Sequence, residues 1–235
     1  MPLGQHTCLS ANKFVKYRMA IRKPSAKSAS VETLERSRLT QAVRRETAER
    51  GILEAAKRIV GERGLDELTL HQAGEAAGYS RALPAHYFGT KGALISALVD
   101  SIIADYAPRV RASLAPGDGL ERLLERVGFY IDDACRDPVT LRAFQTILAG
   151  GLTRPELAPL VIRLNREAID GFAMLIKRAR DKGEIRPDAR PRAEAAIILS
   201  SMRGVMFQWL IDPHHVNIST VKDSLVRNIR TSLAP

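Results

Sequence analysis

The stretch that most restricts how this chain can fold runs from Ala73 to Lys91, AGEAAGYSRALPAHYFGTK. Glycine recurs at Gly74 and Gly78, and a lone proline, Pro84, follows inside what otherwise reads as helix. Gly78 takes a positive φ at low cost, so it can end one short helix and turn the chain. Gly74 lies on the side of that helix facing the next one, and without a Cβ it lets the two cross closely. Two short helices joined by a tight turn containing glycine are a helix-turn-helix. Leu70, Ala73, Ala77 and Tyr79 are its expected small core.

Apolar residues at three- and four-residue spacing extend the reading outward. A helix is expected over about 40–63, on the stripe Ile52, Leu53, Ala56, Ile59 and Val60. Gly51 weakens it by about 1 kcal/mol relative to alanine, and Gly64 ends it. Thr69 offers a cap for a helix over about 70–77, Ser80 for one over about 81–87, and Thr90 for one from Lys91 to about Tyr106. With Ser80 as the cap, Pro84 removes the first hydrogen bond of its helix. With the cap one residue later it falls in the first turn, whose N–H groups have no helical partner anyway. Both placements stay open.

APGDG at 115–119 breaks the chain. Five more helices are expected, over about 119–135, 138–149, 156–182, 190–211 and 216–232, separated by RDP, GGLTRP, KGEIRP and DPHH. There is no strand-like alternation, no repeat of 20–50 residues and no heptad run. The chain therefore reads as all-α, about nine helices. A basic flexible arm over 1–38 precedes a small helix-turn-helix domain over 39–92, and a larger helical bundle occupies 93–235.

Charge is distributed unevenly. The net charge is +10, and residues 1–45 carry +8 of it, ten Lys/Arg against Glu32 and Glu35. A basic arm ahead of a nearly neutral body suits a polyanion, nucleic acid before membrane surface. In a helix-turn-helix the second helix reads base edges with its N-terminal residues. Arg81 is then the strongest candidate for a specific contact, through two bonds to guanine O6 and N7. Ala82 and Leu83 suit a thymine methyl. His86, Tyr87 and Lys91 suit phosphate oxygens, and Thr69 and Lys91 sit at helix starts, where backbone N–H groups favour an anion. Ser80 belongs to the same turn, and Arg44 and Arg45 to the end of the arm. Phe88 is expected to be buried.

Other chemistries find little support. Cys8 and Cys135 show no zinc spacing and read as free thiols. No apolar run follows the N-terminus, so no signal peptide is expected and the location reads as cytoplasmic; Met1 and Met19 both suit a start. AAIILSSMRGVMFQWLI is interrupted by Arg203 and reads as a buried helix, not a membrane span. No Ser/His/Asp arrangement, HExxH, phosphate loop or metal cluster suggests an enzyme, a cofactor or a metal. His214 and His215 read as a surface loop. The rival reading is a sequence-independent DNA-binding protein driven by the arm.

Residues 44–98, RRETAERGILEAAKRIVGERGLDELTLHQAGEAAGYSRALPAHYFGTKGALISALV, resemble the DNA-binding domain of tetracycline-repressor (TetR) family regulators. KGEIRPDA before a long helix ending in WLIDP resembles a frequent feature of the family's C-terminal half. Two positions depart from the pattern. Ala73–Gly74 replaces isoleucine–alanine, and Ala85 replaces a tyrosine that in the family commonly contacts phosphate, a task that would pass to His86 or Tyr87. The resemblance implies a cytoplasmic homodimer, usually a repressor, on a palindromic operator. It implies that residues 93–235 bind a small effector and dimerise through the last two helices. Effector binding would then lower operator affinity. Ala195, Ser200, Ser201 and Gly204 on one of those helices, and the stripe Ile218, Val221, Leu225 and Ile229 on the other, suit such a seam. Candidate pocket residues are Phe129, Tyr130, Asp133, Phe144, Gln145, Phe172 and Met174.

Overall fold

The computed structural model describes residues 26–114 and 116–235, with side chains from residue 41 onward. It divides into two compact units, residues 1–44 and 45–235. In the first unit the described residues are helical and open α1 (Ala26–Arg63). The expected arm lies outside the described residues as far as residue 25, as does Cys8. Helix begins at Ala26, not near Thr40. Composition suits a helix there: from Ala26 to Arg50 there is neither glycine nor proline, and Ala, Leu, Glu, Gln, Arg and Lys dominate.

In the second unit α1 continues to Arg63. It is followed by α2 (Leu70–Ala76), α3 (Leu83–Phe88), α4 (Lys91–Ser113), α5 (Gly119–Ala134) and α6 (Pro138–Gly150), then α7 (Ala158–Asp181), α8 (Pro191–Ile211) and α9 (Ile218–Leu233). The described chain is all-α, as its periodicity requires. Helix α4 runs seven residues past its expected end at Tyr106 and carries Pro108 inside it. Proline cannot bond to the carbonyl four residues back. Ala104 and Pro108 are both exposed, so water can take that carbonyl and the helix continues.

One apolar cluster holds Ile52, Ile59, Leu68, Ala73, Leu94 and Leu98 together with Ala143, Ile147 and Leu157. Helix α1 therefore packs on α6 as well as on α2 and α4. The approach is close: a Cβ on Gly61 would lie 2.5 Å from the Val139 carbonyl oxygen. Gly51 has a similar role, with the Tyr79 ring in the space its side chain would fill. A second cluster joins Leu123 and Val127 of α5, Ile176 of α7, Met202 of α8 and Leu233 of α9. The apolar stripe of α9 is largely used here. Ile229 is buried, and Ile218, Val221 and Leu225 are half-buried. On α8, by contrast, Ile197, Phe207 and Ile211 stay exposed, with exposed Ser200 and Gly204 between them. Among the described residues no helix is long and apolar enough to cross a membrane.

Candidate nucleic-acid interface and ligand cavity

Local hydrogen bonding assembles the α2–α3 unit. The Thr69 hydroxyl accepts from the Gln72 N–H at 3.0 Å and caps α2. Gly78 turns the chain at φ 76°, and the Tyr79 N–H closes the turn on the Gly74 carbonyl at 2.9 Å. Ser80 does not cap α3, contrary to expectation. The cap is Ala82, without a side-chain bond, and Pro84 falls in the first turn. There its missing N–H costs almost nothing. The Ser80 carbonyl instead accepts from the Leu83 N–H at 3.1 Å.

The departure at Ala73–Gly74 now has a physical reason. A Cβ on Gly74 would sit 2.8 Å from the Ser80 carbonyl oxygen and 3.0 Å from Cδ of Pro84. Pro84 is buried against that bare backbone. Glycine and proline are matched, and the volume lost from one helix is returned by the other.

Thr69, Ser80, Arg81, Ala82 and His86 are exposed, while Leu83, Tyr87 and Lys91 are half-buried. Arg81 is held by an ion pair with Glu75 of α2, which aims it from the turn into solvent. Arg45 bonds Glu49 at 2.7 Å, and its guanidinium carbon lies 5.3 Å from the Tyr87 ring centroid. The Tyr87 ring in turn meets Phe88 edge-on at 6.4 Å. Phe88 is half-buried rather than buried. Lys91 is less free than expected, because its Nζ donates to the Leu65 carbonyl at 2.6 Å. Two of its N–H groups remain. Arg44 belongs to the first unit and is exposed.

A cavity of about 580 Å³ opens among α1, α4, α5, α6, α7 and α8. Tyr130, Asp133, Phe144 and Phe172 line it. Three other expected residues do not. Phe129 packs against the Tyr106 ring at 5.8 Å, the Gln145 amide donates to the Arg203 carbonyl at 3.2 Å, and Met174 is exposed.

Asp133 is buried, and Arg109 grips both its oxygens, Nε to Oδ1 at 2.8 Å and Nη2 to Oδ2 at 3.0 Å. The Tyr130 hydroxyl is buried without a hydrogen-bond partner. Burial raises its pKa and, as the main cause, pushes that of Tyr106 up to about 12. Both phenols therefore stay protonated donors at neutral pH. Tyr106, Arg109, Arg126 and Arg203 line the cavity but escaped the sequence reading. Only Arg203 gave a signal, as the single charge in the apolar run of α8. Arg109 lies beyond the expected end of α4 at Tyr106. Among the described residues no group of three or more His, Cys, Asp or Glu is placed to hold a metal ion. His215 instead bonds its neighbour Asp212 at 2.9 Å in an exposed loop.

Residues 52–98 match the family of bacterial regulatory proteins, tetR family, and residues 119–234 match the C-terminal domain of BetI-type transcriptional repressors. The HTH-type transcriptional regulator BetI of Rhizobium meliloti (strain 1021) is 27% identical over 117 residues, 48% of this chain and 56% of its own length. This chain thus spans about half the length of that relative. The HTH-type transcriptional regulator BetI of Cronobacter sakazakii (strain ATCC BAA-894) is 24% identical over 188 residues, covering 79% of this chain and 90% of that protein. A solved putative transcriptional regulator from Saccharomonospora viridis, in complex with choline, shares the fold at a TM-score of 0.67. It is 20% identical and covers 80% of this chain and 98% of its own. Matched by one family over its helix-turn-helix and over its C-terminal helices, the chain belongs to the tetR family of bacterial transcriptional regulators, whose members bind operator DNA and small-molecule effectors and commonly form dimers.

Proposed function

We propose that this chain is a homodimeric repressor that reads a palindromic operator and releases it when a small effector enters the C-terminal cavity. The observation that carries the reading is the exposed Arg81 at the entry to α3, on a turn fixed by Gly74, Gly78 and Pro84. Arg81, Ala82 and Leu83 contact base edges. Thr69, Ser80, His86, Tyr87 and Lys91 contact the backbone, and Arg44, Arg45 and the basic arm add phosphate contacts. One two-turn helix reads only a few base pairs, so a second copy one helical turn away supplies the other half-site. The exposed face of α8, Ile197, Ser200, Gly204, Phe207 and Ile211, supports dimerisation through the last two helices. Residues 39–92 form the reading head and 93–235 the effector and dimer domain, in the cytoplasm.

Selection of bound sequences from a random DNA pool with the purified full chain tests the reading. An inverted repeat is expected. A pool that emerges without a shared sequence overturns it in favour of sequence-independent binding. Deleting residues 1–40 separates the two further. It should weaken binding broadly and flatten the salt dependence while sequence preference persists.

A further inference from the structure

The cavity carries more information than its volume, because its charged lining sorts by depth. Glu54, Asp105, Asp137 and Glu167 line it but are exposed. Glu54 pairs with Lys57 at 2.7 Å, and Asp137 caps α6 through the Thr140 N–H. Asp133, the buried carboxylate, is neutralised by Arg109. Two inward guanidinium groups remain, those of Arg126 and Arg203, both half-buried. Among the described residues neither is paired with a carboxylate. Arg203 bonds only the neutral amide of Asn165 and is destabilised as a cation by burial. Arg126 lies over the Phe172 ring, 5.2 Å from its centroid. Beside them are Tyr106 and Tyr130, with rings 6.5 Å apart, and the Tyr130 hydroxyl has no partner.

Half-buried cations without counter-charge and a buried donor without an acceptor each carry a cost. One anionic ligand satisfies all of them. A cationic ligand finds no such welcome: the buried carboxylate is occupied, and the Phe172 face already carries a guanidinium. The remaining lining is apolar, including Leu98, Ile102, Phe144, Leu199 and Met202, and the volume falls in the range of about 300–1,000 Å³ usual for small-molecule sites.

We infer that the effector is an amphipathic organic carboxylate, its head against Tyr130, Arg203 and Arg126 and its apolar body against Phe172, Leu199 and Met202. This rests on the proposal that the cavity is the effector site, and it names the ligand class. A charged acceptor is held more strongly than a neutral one by such donors.

Isothermal titration of the full chain with matched pairs tests the inference: octanoate and octanamide, decanoate and decanamide, 3-phenylpropanoate and its amide, with choline as the cationic probe. The acids are expected to bind at least about tenfold tighter than their amides, and choline not to bind. Arg203→Met should close the gap between acid and amide. Tyr130→Phe, which removes one oxygen and leaves packing intact, should weaken the acids about fivefold. If Arg203→Met does not fold, Arg126→Met makes the same test. Amides binding as well as acids, choline binding more tightly than either, or silence from every pair overturns the inference. Operator release is read separately by gel shift. An acid that binds without weakening the DNA complex keeps the ligand class and sinks the effector reading.

Discussion

The α2–α3 head and the cavity among α4 to α8 are built by different rules. In the head almost every constraint is local. Thr69 caps a helix three residues on, Gly78 turns the chain in place, and Arg81 is aimed by Glu75, six residues away. In the cavity the constraints are distant. Arg109 and Asp133 are 24 positions apart, and Arg203 reaches Asn165 across 38. A local constraint must be met by particular residue types at fixed spacing, so it leaves a mark in the sequence. A distant one can be met by many combinations and leaves almost none. The same difference governs how each region breaks: the head through backbone geometry, the cavity through unpaired charge.

The largest expected effect strikes the head's geometry. Gly74→Val would thrust a branched side chain into the Ser80 carbonyl and the Pro84 ring, 2.8 and 3.0 Å from the first added atom. Neither neighbour is the end of a flexible side chain. Overpacking of this kind costs up to about 3 kcal/mol, read as a lower urea midpoint, and DNA binding should be lost with it. A companion Pro84→Ala change should recover part of the stability, because the proline ring is half of the clash. Independent, additive losses would mean the two residues are not matched as described.

That pairing also marks the limit of what could be read in advance. The turn, the Thr69 and Thr90 caps and the exposed Arg81 follow from residue type and spacing, and apart from the start of α1 and the end of α4 the described helices lie close to where apolar periodicity puts them. Pro84 is ambiguous in the sequence because a cap at Ser80 and a cap one residue later differ by less than a turn; the structure caps α3 at Ala82, with Pro84 packed against Gly74. Helix α4 outlasts its apolar stripe, which ends at Ile103, and it passes Pro108 because Ala104 and Pro108 face water. Of the candidate pocket residues, Tyr130, Asp133, Phe144 and Phe172 line the cavity and Phe129, Gln145 and Met174 do not. Helical phase on α5, α6 and α7 is set by packing against helices distant in sequence. The guanidinium groups that give the cavity its character were missed because arginine on a helix ordinarily means solvent.

The next effect belongs to the cavity. Arg109→Met removes the partner of a carboxylate whose side chain is only 6% exposed. Breaking a fully buried pair costs roughly 3–5 kcal/mol. Here the arginine side chain is 46% exposed, so the pair is half-solvated and about 2 kcal/mol is expected by urea denaturation. The double change Arg109→Met with Asp133→Leu should regain most of it, since no charge is left buried. If the single and double variants are equally unstable, the pair matters through packing and not through charge.

A smaller effect separates the regions by pH. Burial pushes the Tyr106 hydroxyl from an ordinary value near 10 up to about 12. The folded chain then holds this proton more tightly than the unfolded chain does. The resulting stability is complete below pH 10 and is lost as pH rises from about 10 to about 12. Tyr106→Phe removes that proton and should flatten the alkaline decline by about 1–2 kcal/mol relative to the parent. Tyr130 is raised in the same direction, so part of the decline persists. Parallel curves for the variant and its parent would place Tyr106 in contact with water.

The smallest effect on stability should carry the largest consequence for recognition. Arg81 and Glu75 are an exposed pair, with side chains 64% and 44% accessible. Exposed pairs contribute about 0–1 kcal/mol, so Arg81→Ala should leave the urea midpoint nearly unchanged. Operator affinity should nevertheless fall by about 1–3 kcal/mol, with discrimination relaxed at one base position in each half-site. Glu75→Gln keeps the arginine but loosens its aim. It should leave affinity for random DNA unchanged or slightly higher and reduce preference for the selected sequence. A uniform loss across all sequences would instead assign Arg81 to the phosphate backbone and move the base-reading role to Ala82 and Leu83. The head would still be a DNA-binding surface, but its specificity would come from apolar contact and DNA shape, not from a guanidinium reading guanine.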